Sequence, residues 1–111
     1  MVAVIGDIHG GLRALHQIME RANVTVNDTL IFLGDYVDGW SQSPQVLDFL
    51  IELKTTHKCV FLRGNHDELL SDWLSESKDN LLWYNHGGES TVLAYVHVSV
   101  QTKNKHVEFL K

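Results

Sequence analysis

Three short apolar runs, each halted by glycine, constrain this chain more than any other feature. Val2-Ala3-Val4-Ile5 stops at Gly6, Leu30-Ile31-Phe32-Leu33 at Gly34, and Cys59-Val60-Phe61-Leu62 near Gly64. Each is too short for a helix and lacks polar alternation, the pattern of a strand buried on both faces of a sheet. Between the first two, Leu12, Leu15, Ile18, Met19 and Ala22 recur at three- and four-residue steps, which predicts an amphipathic helix. Between the second and third, Val46, Leu47, Phe49, Leu50 and Leu53 repeat the pattern, with Ser43 expected as N-cap and Pro44 at the first helical position. The grammar is βαβαβ in an α/β fold, and right-handed crossovers make its sheet parallel.

Past residue 66 the pattern is less regular. Leu69, Leu70, Trp73 and Leu74 suit a short helix, residues 76–80 form a polar break, and Leu82-Trp83-Tyr84 fits helix or strand equally. The spacing of Val92, Leu93, Val96 and Val100 predicts one helix from Glu89 to about Gln101, although β-branched residues disfavour it. Val107, Phe109 and Leu110 then begin another apolar pattern just before Lys111. The 111 residues read as one domain, 1–111, and as the N-terminal part of a longer one.

Composition excludes several functions. Nine basic against fourteen acidic residues leave a formal net charge of −5, which opposes nucleic-acid or anionic-membrane binding through a basic field. A single cysteine, Cys59, rules out an internal disulfide or a cysteine-rich zinc site and suggests a reducing, cytoplasmic setting. No signal-peptide pattern opens the chain, and no apolar run approaches the roughly 20 residues that cross a bilayer. The phosphate-loop and dinucleotide-turn glycine motifs are absent. Trp40, Trp73 and Trp83 read as packing residues or as a substrate rim.

Each strand delivers a polar cluster at its C-terminal end: Gly6-Asp7-Ile8-His9-Gly10, Gly34-Asp35-Tyr36-Val37-Asp38-Gly39 and Gly64-Asn65-His66-Asp67. In a parallel sheet these ends share one edge, where ligands bind. Any one cluster alone reads as well as a turn or a helix cap; three in succession point to a site. Asp7, His9, Asp35, Asp38, Asn65, His66 and Asp67 are therefore expected to converge. Four carboxylates there would repel one another unless a cation intervened. Carboxylate, imidazole and amide donors suit zinc, manganese or iron better than calcium. Asp7 and His9, two apart, would share a face in extended backbone and reach the same ion.

These three motifs, GDIHG at 6–10, GDYVDG at 34–39 and GNHD at 64–67, resemble those of the calcineurin-like metallophosphoesterases, in particular the serine/threonine protein phosphatase and diadenosine-tetraphosphate hydrolase branch. The resemblance covers about the first two-thirds of the chain, and Gly87-Gly88 is similar to a later glycine pair of that family. It implies a four-layer αββα fold, a β-sandwich flanked by helices, with two divalent ions at the sheet edge. Asp7, His9 and Asp35 would hold the first ion, and Asp35 and Asn65 would begin the shell of the second. His66, oriented by Asp38, would be the general acid, while a metal-activated hydroxide attacks phosphorus. The substrate would be a phosphorylated protein or small phosphoester, or else a dinucleoside polyphosphate. The family arginine after GDYVD is replaced by Gly39, so phosphate binding would fall to Arg13 or Arg63. No match exists for the two later histidines that complete the second ion's shell; His86, His97 and His106 all lack a strand-end setting. The resemblance thus implies one whole ion site and half of another. With the second sheet missing, the uncovered face would favour self-association. A metal-binding or interaction module without catalysis is the rival reading.

Overall fold

A computed structural model describes residues 2–6, 8–21, 23–25, 27–76 and 80–110; Asp7 and Ala22, both singled out above, lie outside them. The elements run β1 (Val2–Ile5), α1 (Leu12–Arg21), β2 (Thr29–Phe32), α2 (Ser43–Leu53), β3 (Lys58–Phe61) and α3 (Asn65–Glu76). A single turn, α4 (Leu81–Trp83), and a kinked segment lead into α5 (Glu89–Ala94) and α6 (Val100–Leu110). The three strands are parallel, as the sequence grammar predicts, and lie in the order β1-β2-β3.

The register aligns Ile5, Phe32 and Phe61 on one face, and Val4, Ile31 and Val60 on the other. Ile5, Leu30 and Phe32 are buried in a core shared with Leu15 of α1, Val46, Leu47 and Leu50 of α2, Leu70 of α3 and Leu110 of α6. Among the described residues nothing covers the opposite face: Val4 is 59% exposed and Val60 47%, and Val2, Leu33 and Leu62 are also open. The expectation of strands buried on both faces is corrected here. Two crossovers of one hand in the order 1-2-3 return both connecting helices to the same side, so continuous apolar strands meet helices on one face only.

Other boundaries differ for local reasons. Ser43 does not cap α2; it is the first residue of the helix, Gln42 is the N-cap without a side-chain bond, and Pro44 occupies the first turn. The predicted helix over 89–101 divides into α5 and α6, with a turn between. Ser99 Oγ accepts the Thr102 N–H at 3.2 Å and so starts α6 afresh. Phe109 of α6 then meets Phe61 edge-on at 4.8 Å, while Phe61 stacks on Phe32 at 5.0 Å. His97 is exposed, whereas His106 is fully buried between the Tyr95 hydroxyl and the Asp48 carboxylate, each at 2.7 Å. Cys59 is half-buried, and burial pushes its thiol up, consistent with an inert packing residue. Among the described residues no helix is long and apolar enough to cross a membrane.

Candidate active site

Hydrogen bonds stitch the three strand-end clusters together. The N–H groups of Ile8 and His9 both donate to the Asp35 carbonyl (3.2 and 3.0 Å), and Gly10 N–H donates to the Tyr36 carbonyl at 2.7 Å. Trp40 N–H returns to the His9 carbonyl at 2.9 Å. The loop after β2 is joined to α3 by side chains, with His66 N–H donating to Asp35 Oδ1 at 3.2 Å. His9 (φ 50°), Asp35 (φ 55°) and Asp38 (φ 71°) all adopt left-handed backbone. That conformation is uncommon outside glycine and concentrates at functional sites. His9 is therefore in a turn, and the extended geometry expected to pair it with Asp7 does not hold at His9.

The loops approach so closely that two glycines are obligatory. A Cβ on Gly34, which has φ +103°, would lie 2.6 Å from Gly64 N. One on Gly64 would overlap the amide and carboxylate of Asp35. The absence of these side chains lets Asp35 project between the ends of β2 and β3.

Two of the four carboxylates expected to crowd this edge are already satisfied by hydrogen-bond donors. Asn65, His66 and Asp67 form the first turn of α3, where a loop was expected before a short helix. From the third position Asp67 accepts the Gly64 N–H at 2.9 Å, the reciprocal half of a capping box. It also accepts from Asp35 N–H at 2.7 Å and Tyr36 N–H at 2.9 Å. Burial pushes the Asp67 carboxyl up, opposed by these three donors. Asp38, 1% exposed, accepts from His66 Nδ1 at 2.8 Å and from Trp83 Nε1 and Thr91 Oγ1. Of the four carboxylates, Asp35 is the one among the described residues whose charge still calls for a cation; Asp7 lies outside them.

Asp35, His9 and Asn65 suit a divalent ion by their chemistry. His9 Nδ1 lies 3.0 Å from the Val37 carbonyl, which can only accept, so Nδ1 carries a proton and Nε2 is the ring nitrogen that would meet an ion. Asn65 is exposed beside His66 in a cleft of about 280 Å³ that Leu69, Leu82, Trp83 and His86 also line. No group of three or more His, Cys, Asp or Glu able to hold a metal occurs among the described residues, a set from which Asp7 is missing. The His9 and His66 rings meet edge to face at 5.3 Å.

Arg13 is exposed on the first turn of α1, and Arg63 pairs with Glu68 at 3.6 Å. Sequence reasoning missed Trp83 and Thr91. Their one visible signal was the glycine pair between them: Gly87 has φ +112°, and a Cβ on Gly88 would lie 2.6 Å from the Trp83 ring. Asn80 Oδ1 accepts the Trp83 N–H at 3.0 Å, capping the turn that presents the indole.

A sequence model of the family described as calcineurin-like phosphoesterase matches residues 1–109. The chain belongs to that family. Among calcineurin-like phosphoesterase relatives, the asymmetrical bis(5'-nucleosyl)-tetraphosphatase of Anoxybacillus flavithermus is 32% identical over 119 residues, covering 97% of this chain and 47% of that protein. A provisionally named serine/threonine-protein phosphatase of Caenorhabditis elegans is 37% identical over 68 residues, covering 60% of this chain and 19% of that protein. The solved metallophosphoesterase of Sphaerobacter thermophilus shares the fold, with a TM-score of 0.65 at 21% identity over 99% of this chain and 40% of that one. The chain therefore spans less than half the length of these calcineurin-like relatives.

Proposed function

We propose that this site hydrolyses phosphomonoesters in a divalent-metal-dependent reaction, with His66 as general acid. The observation that carries the reading is the His66–Asp38 pair at 2.8 Å, in which His66 lines the same cleft as Asn65 and donates its N–H to Asp35. Asp7, His9 and Asp35 would hold one ion, and Asp35 and Asn65 part of a second; manganese, iron or zinc fits these donors. Divalent ions there would supply charge stabilisation at the phosphoryl oxygens and a nucleophile at neutral pH. Asp38 accepts from Nδ1 of His66, so the proton passed to the departing oxygen comes from Nε2. With glycine at position 39, Arg13 or Arg63 would grip the substrate phosphate. Phosphoserine or phosphothreonine in proteins is the proposed substrate class, in line with the Caenorhabditis relative's name. The 32% identity to a bis(5'-nucleosyl)-tetraphosphatase over 97% of this chain favours a dinucleoside polyphosphate as the second reading. The half-buried single cysteine fits a cytoplasmic setting, and the bare sheet face fits self-association.

The test is a manganese-supplemented assay with an aryl phosphate, comparing the wild-type chain with Asp35→Asn. Hydrolysis by the wild type, reduced to background in the variant, is expected. Equal turnover in both would overturn the assignment. No turnover in either would leave the non-catalytic module as the better account.

A further inference from the structure

Resting on the reading of His66 as the acid, we infer that Trp83 and Thr91 are positioning residues that hold Asp38 in the one orientation able to orient His66. The proton arrangement follows by elimination. Asp38 N–H can only donate, and its partner is Ser43 Oγ at 3.0 Å. Thr91 has one hydroxyl proton, which it gives to Asp38 Oδ1. The contact between Ser43 Oγ and Thr91 Oγ1 at 3.2 Å must therefore carry the proton of Ser43. The circuit runs from the Asp38 amide through Ser43 and Thr91 and back to the Asp38 carboxylate. Trp83 Nε1–H donates to the other oxygen, Oδ2, which also faces His66 Nδ1.

With donors on both oxygens, Asp38 is an acceptor toward His66, and Nδ1 is the protonated ring nitrogen. A carboxylate torsion is broad and roughly two-fold on its own, so without such clamps Asp38 could swing away from the ring. The clamp is specific in sequence as well as in space. Trp83 reaches Asp38 across 45 residues and Thr91 across 53, from a turn and a helix outside the three strand-end clusters. Phenylalanine and valine would serve packing alone. The hydroxyl and the indole N–H serve Asp38.

Thr91→Val, Trp83→Phe and the conservative Thr91→Ser provide the test, with two readouts on the full chain. The first is the imidazole ¹H–¹⁵N spectrum of the metal-free protein, with the His66 signals assigned by their loss in His66→Asn. Neutral His66 should be the Nδ1–H tautomer in the wild type and in Thr91→Ser. In Thr91→Val and Trp83→Phe it should move toward the Nε2–H form that imidazole prefers in water. The second is aryl-phosphate turnover, in which kcat should fall about tenfold in both donor-deleted variants with KM unchanged, the scale of one hydrogen bond to a charged group. An unchanged tautomer in both Thr91→Val and Trp83→Phe overturns the inference, whatever the rates do. Because the two variants act on opposite oxygens, failure of one to fold leaves the other to decide. A wild type that hydrolyses nothing refutes the functional reading alone, since the tautomer readout needs no turnover.

Discussion

Asp67→Ala is expected to destabilise the chain by about 3–5 kcal/mol, the range for breaking a buried charged hydrogen-bond network. The carboxylate is fully buried, and its two oxygens accept three backbone N–H groups, from Gly64, Asp35 and Tyr36. Alanine removes all three bonds and leaves these amides without their carboxylate partner. Against a typical total of about 5–15 kcal/mol, the loss would leave the fold marginal. Asparagine with its carbonyl oxygen in the place of Oδ2 keeps the bonds from Gly64 and Asp35 and loses that from Tyr36. Asp67→Asn should therefore show about half the effect of alanine. Urea titration checks both: the midpoint should fall in that order with little change in slope. An alanine variant as stable as the wild type would show that Asp67 does not tie the β2 loop to α3.

The second large effect concerns chemistry. His66→Asn is expected to lower kcat for aryl-phosphate hydrolysis about 10²–10⁴-fold, the usual contribution of a positioned general acid. The imidazole is partly exposed, 28% for its side chain, with Nδ1 committed to Asp38, so Nε2 is the nitrogen able to protonate a leaving oxygen. The loss should depend on the leaving group. Phenyl phosphate, whose phenolate leaves poorly, needs the acid; p-nitrophenyl phosphate needs it far less. A larger loss on the phenyl ester, with KM little changed, identifies proton donation. Equal losses on both esters would move His66 from acid catalysis to substrate or metal placement.

The sequence made the sheet edge legible because each cluster follows an apolar run that ends at glycine. Parallel pairing and the approach of His9, Asp35 and His66 to one another follow from that pattern; the strand order does not. The bare sheet face was hidden by the same pattern: uninterrupted apolar strands look alike whether one face or both are covered. The partition of the carboxylates was also hidden. Asp67 is hydrogen-bonded by backbone amides that only the folded loops bring near, and Asp38 by side chains 45 and 53 residues away. The break between α5 and α6 did leave a trace, a serine at position 99 just before Val100. The longer helical periodicity of the valines outweighed it. Ser43 shows the opposite error: a residue type suited to capping α2 instead has its hydroxyl bound to the Asp38 loop.

Manganese binding to the intact chain, followed by electron paramagnetic resonance, tests most directly whether these strand ends form a metal-dependent phosphoesterase site. The account predicts saturable binding by the wild type that Asp35→Asn and His9→Gln each abolish while the fold persists. Saturable binding that survives both substitutions, or none in the wild type, would contradict it.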